Sequence, residues 1–141
     1  VFVGGFIGSP AMNFFTGTLI DGKLNIGNTS IEIPKEKMKY LLEQGYTNKE
    51  IIMGVRPEDF HDDPAFIDSS PESKFDANIE VAELMGAEIM LYSQIDGHQF
   101  IARVDSRSDV KAGQVLPLAI DMSKVHFFDK DTENCIYPDH Q

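Results

Sequence analysis

The sequence contains little cysteine and few basic side chains. Its single cysteine, Cys135, excludes an internal disulfide, and this sparing use of cysteine suits a reducing compartment. Its 12 lysines and arginines are outnumbered by 23 carboxylates, which gives a formal net charge of -11. Nucleic-acid sites need clustered basic residues to displace counterions, so this balance argues against a nucleic-acid partner. The nearest basic cluster, Lys35, Lys37 and Lys39, is interpreted as the solvated face of a helix.

Long hydrophobic runs are also absent. The longest apolar stretch, Val1 to Phe15, is interrupted by glycines, Ser9 and Pro10, and falls short of the roughly 20 apolar residues that a membrane span requires. The sequence therefore predicts neither membrane insertion nor a signal peptide. Because the chain starts without a methionine and inside an apolar segment, we expect a fragment of a longer protein that lacks its N-terminal side. Its 141 residues suffice for one compact domain.

Motifs for nucleotide or calcium binding are incomplete. The N-terminal glycines are not followed by the Gly-Lys-Ser or Gly-Lys-Thr of a phosphate-binding loop, so this stretch is not expected to hydrolyse ATP alone. Asp129, Asp131 and Glu133 have the spacing that opens a calcium loop, but Asn134 and His140 stand where glycine and glutamate are required. A charged surface turn is the favoured interpretation.

Two further groups of polar residues are candidate sites. His61, Asp62 and Asp63 could supply metal ligands, yet adjacent residues point apart and no second histidine lies at helical spacing. Cys135 with a histidine could suggest a thiolate nucleophile, but no oxyanion hole or acid partner can be nominated. The sequence therefore predicts no catalytic residue, no metal site and no cofactor in this fragment.

Short β-type runs dominate the chain. Asp21-Gly22 and Asp96-Gly97 separate such runs and predict two-residue hairpin turns. One short helix is expected from Lys35 to Gln44, after Pro34, whereas residues 61 to 76 are expected to form a loop with a weak turn in its centre. This pattern favours a small, mostly β barrel or sandwich over a parallel α/β sheet. The predicted strands are Phe14–Ile20, Lys23–Ile26, Ser30–Ile33, Lys49–Val55, Ala77–Leu84, Glu88–Ile95, Gln99–Val104, Gln114–Ile120, Lys124–Phe128 and Cys135–Tyr137.

A charged turn follows the apolar run at residues 51–53. It contains Arg56, Glu58 and Asp59 around Pro57, which is too few groups for general acid-base catalysis. The favoured interpretation is a structural clasp, in which Arg56 binds a carboxylate of a neighbouring strand and pins the turn to the barrel. Direct contact with a partner remains the alternative. The candidate carboxylates on the neighbouring strand are Glu83 and Glu88.

Several separated stretches carry a family resemblance. They are GFIGSPAMNFF (residues 5–15), GVRPED (54–59), VAELMGAE (81–88), FIARV (100–104) and VHFFDKDT (125–132). Together, and in this order, they resemble the C-terminal part of ATP-binding subunits from bacterial sugar-uptake ABC transporters of the maltose and multiple-sugar type. The resemblance covers nearly the whole chain and is weakest at residues 61–76.

The resemblance implies a regulatory domain and a missing ATPase domain. Residues 1–12 would be the tail of the nucleotide-binding domain, which would bind ATP and Mg²⁺ outside this fragment, and residues 13–141 would form a regulatory barrel of the oligonucleotide/oligosaccharide-binding type with one short helix. Such domains pair as a homodimer across the transporter's twofold axis and bind regulatory proteins in some relatives. The whole subunit would contact membrane permease subunits from the cytoplasm, as a peripheral protein at the inner face of the membrane.

A dimer contact is expected near the end of the chain. An interface needs apolar groups at its centre and charge at its rim, and His126, Phe127, Phe128 and Asp129 provide both. In an alternating strand one phenylalanine faces the core and the other faces out. From the resemblance, Phe128 is the expected twofold contact. The alternative is that both rings belong to the core.

A second function remains open from the sequence. Related barrels in oxyanion-transport ATPases bind molybdate or tungstate, so this chain could be a small-ligand sensor. The net charge of -11 and the absence of a cluster of serine, threonine and lysine disfavour an oxyanion site. Regulation and dimerisation in a sugar transporter is therefore the preferred interpretation, and the sugar itself is not predicted.

Overall fold

The architecture is mostly β, as the sequence predicts. The structure is a computed structural model that describes residues 12–105 and 110–136. Most of the predicted tail at residues 1–12 therefore lies outside the described residues. Within the described part, the strands are β1 Asn13–Ile20, β2 Lys23–Ile26, β3 Thr29–Glu32, β4 Glu50–Val55, β5 Phe60–His61, β6 Lys74–Asn78, β7 Val81–Met85, β8 Glu88–Ile95, β9 His98–Asp105, β10 Val115–Ile120 and β11 His126–Asp129, and the α-helices are α1 Lys35–Glu43 and α2 Pro64–Ser69.

The strands form three antiparallel sheets. One has five strands in the order β11-β4-β1-β2-β3, and two have three strands each, β5-β10-β6 and β7-β8-β9. The hairpins β1–β2 and β8–β9 turn at Asp21-Gly22 and Asp96-Gly97, and all four of these turn residues have positive φ. Asn, Asp and Gly adopt that backbone region most easily, which explains why both hairpins were predictable.

One large core joins the sheets. Its fully buried side chains come from the first half of the chain, such as Phe15 and Leu24, and from the second half, such as Leu91 and Leu118. Phe60 lies at its centre and stacks on Phe100 with ring centroids 4.8 Å apart. Burial of this apolar surface is the main source of the fold's stability.

The segment predicted as a loop contains a second helix. Pro64 stands in the first turn of α2, and the Asp63 carboxylate caps it by accepting the N–H of Phe66 at 3.1 Å. Asp followed by Pro is a start signal for a helix, so the prediction of a single helix overlooked a readable pattern.

Two predicted strands also differ. The run Ala77 to Leu84 is divided between β6, which pairs with β10, and β7, which pairs with β8. Cys135 makes an isolated bridge with Phe128 in place of a strand, and Tyr137 lies outside the described residues.

Candidate functional site

The predicted clasp begins where β4 ends. Pro57 to Asp59 form one turn of 3-10 helix, closed by the Asp59 N–H donating to the Arg56 carbonyl at 2.9 Å. Asp59 is buried, and burial raises the pKa of its carboxyl. Arg56 is half-buried, and among the described residues the structure gives it no ion pair.

A different arginine holds the carboxylates of this region. Arg103 on β9 places Nε 3.5 Å from Glu88 Oε1 and Nη1 3.7 Å from Glu58 Oε1. The cause is the β8–β9 register, which pairs Met90 with Arg103 and so sets the arginine diagonally beside Glu88. Arg103, which the sequence analysis did not nominate, therefore joins the Pro57 turn to this hairpin. The hairpin turn at Asp96-Gly97 fixes that register and was the signal that could have found it.

Glu83 lies apart from the turn. It stands on β7 and accepts a hydrogen bond of 3.0 Å from the Tyr92 hydroxyl on β8. The structure thus brings Glu58 and Glu88 together through Arg103 and leaves Glu83 on another edge of the sheet.

A cleft of about 550 Å³ opens beside Arg103. The ring of His61 stacks on Phe66 at 4.1 Å, and its Nδ1 lies 3.9 Å from Asp63 Oδ1. Within residues 12–105 and 110–136 no three side chains of the metal-binding types are grouped to hold an ion. The residues that line the cleft are Glu58, Phe60, His61, Asp62, Asp63, Ala87, Glu88, Arg103, Val104 and Asp105.

The predicted dimer contact is mostly internal. Phe127 faces the large core and is fully buried, whereas Phe128 faces the other side of the sheet, as alternation predicts. That second side is covered, because Met12, Ile52 and Phe14 pack on Phe128 and leave it 2% exposed. Both rings are therefore core residues, which corrects the expectation that Phe128 is an exposed contact. His126 stacks beside the Phe128 ring at 6.4 Å and remains half-buried.

Asp129 has a defined structural task at the end of β11. Its Oδ1 accepts the backbone N–H groups of Asp131 and Thr132 at 2.8 Å each, and its Oδ2 accepts the Tyr46 hydroxyl at 2.6 Å. The Tyr46 hydroxyl, followed by the N–H of Thr132, lowers the pKa of the Asp129 carboxyl. The same hydrogen bond raises the pKa of Tyr46 to about 12. Asp129 thereby closes its own turn and fixes the connection that precedes β4.

Asn13 is a structural residue that the sequence analysis missed. Its Nδ2 donates to the Val55 and Ile101 carbonyls, both at 3.0 Å, and its Oδ1 accepts the Ile101 N–H at 2.9 Å. The side chain therefore acts as a short piece of ladder between β1 and β9, which belong to different sheets. In the sequence Asn13 stands directly before the predicted strand Phe14–Ile20, and nothing there shows that its side chain is buried.

No described helix is long and apolar enough to cross a membrane.

Two protein families match consecutive parts of the chain. Residues 8–60 match the MalK OB fold domain, and residues 69–127 match the TOBE domain. The Pro57 turn lies in the first match, and Arg103 lies in the second. The ion pair between Glu58 and Arg103 therefore connects the two matched segments.

The curated proteins that resemble this chain are much longer than it is. The oligosaccharides import ATP-binding protein MsmX of Bacillus subtilis is 56% identical over 133 residues, which cover 94% of this chain and 36% of that protein. The multiple sugar-binding transport ATP-binding protein MsmK of Streptococcus mutans is 41% identical over 136 residues, covering 96% and 36%. The chain thus spans about a third of the length of the curated relatives that it matches.

One solved structure shows the same fold at low identity. The cytoplasmic molybdate-binding protein ModG aligns with a TM-score of 0.61 and 16% identity, covering 82% of this chain and 94% of that one. This likeness supports the β architecture and carries no information about a ligand.

Proposed function

We propose that this chain, which belongs to the C-terminal regulatory part of ATP-binding subunits from bacterial sugar-import ABC transporters, pairs two such subunits and regulates carbohydrate import. It is built from MalK-type OB and TOBE domains. The observation that carries the proposal is the identity of 56% to an oligosaccharide-import ATPase over 94% of the chain. The matched part is the regulatory part and not the nucleotide-binding domain. ATP and Mg²⁺ would accordingly be bound by other residues of the subunit.

The structure supports a rigid, non-catalytic module. The OB and TOBE segments are connected by Asn13, by Arg103 and by a shared core, so they pack as one unit. In the full subunit the domain would lie in the cytoplasm at the inner face of the membrane, near the permease subunits, and could also bind a regulatory protein. Because Phe128 is buried, we place the twofold contact on other surface residues, which include His126.

A chimera tests the transport role. In Bacillus subtilis that lacks MsmX, the matching part of MsmX would be replaced by this chain, and oligosaccharide uptake would be measured. We expect the chimera to restore uptake and MsmX without that part to fail. A chimera that is produced, folded and able to hydrolyse ATP, yet gives no uptake, would contradict the proposal.

Sedimentation of the chimera and of the isolated chain tests pairing separately. A purely monomeric chimera would refute the proposed pairing.

The oxyanion alternative has a direct test. Calorimetric titration of the chain with molybdate should give no binding heat if the chain serves sugar import. Binding in the micromolar range would reverse the order of the two functions.

A further inference from the structure

Strand β7 presents an unusual edge, called here the β7 edge and comprising residues 81–85. It is the outer strand of the sheet β7-β8-β9, so one side of its backbone has no neighbouring strand in the described structure. Its apolar side chains are nonetheless exposed: Val81 by 48%, Leu84 by 69% and Met85 by 55%. Exposed apolar edge strands promote unwanted pairing, and proteins usually protect them with lysine, proline or a covering segment.

Both faces of the β7 edge contribute apolar surface. Leu84 pairs with Ile89, which is 7% exposed, so both side chains lie on the core face of the sheet. Unlike Ile89, Leu84 stands at the edge of that face and is left largely uncovered. Val81 and Met85 lie on the opposite face, together with the half-buried Met90. A partner strand laid along β7 would cover apolar groups on either side.

The backbone along this edge is also ready for pairing. The two-residue turn Gly86-Ala87 makes Met85 and Glu88 the closing pair of the β7–β8 hairpin. In an antiparallel pair, alternate residues direct their N–H and C=O to the partner strand and the others direct theirs outward. The outward groups of β7 are therefore those of Ala82 and Leu84.

The negative charge around the β7 edge indicates what kind of partner would bind there. Residues 75 to 102 contain no lysine or arginine, whereas Glu80, Glu83 and Glu88 lie on or beside the β7 edge. Arg103, on the opposite outer strand of the same sheet, is engaged by Glu58 and Glu88. A second copy paired antiparallel about the centre of β7 would set Glu83 against Glu83, which is unfavourable. An acidic and apolar edge fits a basic and apolar strand.

We propose that the β7 edge docks an extended segment of another protein that carries lysine or arginine beside apolar residues and adds a fourth strand to this sheet. Main-chain hydrogen bonds to Ala82 and Leu84 would provide the register. Contacts with Val81, Leu84 and Met85, and ion pairs with Glu80 and Glu83, would provide selectivity. This docking is independent of the twofold pairing proposed above.

A synthetic peptide provides the probe. A heptapeptide of alternating lysine and valine would be added to the chain, and backbone amide exchange would be followed by NMR. We expect the amides of Ala82 and Leu84 to exchange about tenfold more slowly, and the protection to weaken as salt rises. A peptide of alternating glutamate and valine is the control for charge. Strand β3, an outer strand of the five-stranded sheet, is the control for position within the same protein.

Two variants test the geometry. Ala82→Pro removes the outward N–H of residue 82, and an edge strand tolerates proline. Leu84→Lys retains the backbone groups and adds a cation that repels the lysines of the peptide. Each variant should remain folded by its melting temperature and lose the protection. Equal protection of β3, retention of binding in both variants, or no protection at all would overturn the proposal. A homodimer that Ala82→Pro dissociates would also overturn it, by identifying a second copy as the occupant.

Discussion

At the level of single residues, Asp129 connects β11 to the chain segment before β4 through Tyr46. The hydrogen bond between the Tyr46 hydroxyl and Asp129 Oδ2 measures 2.6 Å and spans 83 residues of sequence. Its donor and acceptor both titrate, so its contribution depends on pH in a defined way. A carboxyl with a lowered folded pKa stabilises the fold above its unfolded value of about 4, and a phenol with a raised folded pKa stabilises it below its unfolded value of about 10.

Tyr46→Phe should therefore lower the free energy of unfolding by about 1 kcal/mol at neutral pH, since it deletes one partly buried hydrogen bond. The difference in stability between the variant and the parent should shrink as pH falls through the lowered pKa of Asp129. It should also shrink as pH rises from about 10, the pKa of an unfolded tyrosine, to about 12, the pKa of Tyr46 in the fold. Urea unfolding across this pH range measures it. Tyr92→Phe, which loses a 3.0 Å bond to Glu83 at the surface, is the matched control and should cost less. A difference that is constant with pH would exclude the assigned linkage.

Gly27 shows a second residue-level constraint. Its φ is +61°, and a Cβ at this position would overlap the carboxylate of Asp96. Gly22 has a similar φ of +79° but nothing within 4 Å of such a Cβ. The β2–β3 turn and the β8–β9 turn therefore meet at Gly27.

Gly27→Ala should be more destabilising than Gly22→Ala. The positive φ costs each variant about 1 kcal/mol, and only the first must also displace Asp96. Thermal unfolding of both variants measures the difference. The loss caused by Gly27→Ala should be smaller in an Asp96→Gly background than in the parent, which a double-mutant cycle measures. Equal losses in the two single variants would show that the turns do not press on each other.

Among the elements, β1 and β9 are joined by a side chain where no backbone ladder exists. Asn13 satisfies the N–H and the C=O of Ile101 and also the Val55 carbonyl. Backbone groups left unpaired in the interior carry the full cost of desolvation. The junction of the two sheets is therefore sensitive to this amide.

Asn13→Ala should lower the free energy of unfolding by about 2–4 kcal/mol, because it leaves the N–H and the C=O of Ile101 without partners. Urea unfolding gives the loss, and faster exchange of the Ile101 amide locates it. Asn25→Ala is the control. Its Nδ2 donates to the Thr18 carbonyl at 3.3 Å and its Oδ1 accepts the Ser30 hydroxyl at 2.7 Å, nearer the surface where water can replace them, so its loss should stay below about 1 kcal/mol. Similar losses in the two variants would contradict the role assigned to Asn13.

The elements that the sequence predicted are those fixed by local chemistry. The Asp-Gly hairpins follow from backbone preferences at positive φ, and α1 follows from Pro34 and a helical apolar spacing. The division of the run at Ala77 between β6 and β7 did not follow, because two different sheets recruit its halves. The ion pairs of this region are made by Arg103 and not by Arg56, because the β8–β9 register sets Arg103 beside Glu88. Phe128 is buried because Met12 and Phe14, distant in sequence, cover it.

Over the whole molecule, the two family-matched segments share one core. Phe60, from the first, stacks on Phe100 of the second and meets Phe75 edge-on at 6.2 Å. Phe15 also packs edge-on against Phe60, at 6.5 Å. Neither segment can lose these aromatic contacts without exposing the other, so we expect the chain to unfold as a single cooperative unit.

Phe60→Ala tests this cooperativity. Truncating a buried phenylalanine should lower the free energy of unfolding by about 3–5 kcal/mol, and the loss should reach both segments equally. Hydrogen exchange read by mass spectrometry would compare peptides covering β2 with those covering β8, under conditions where exchange reports global unfolding. Leu84→Ala, at a side chain that is 69% exposed, is the control and should change stability by less than about 0.5 kcal/mol. If Phe60→Ala weakens the protection of only one of the two strands, the OB and TOBE segments are separate folding units that only touch at their aromatic core.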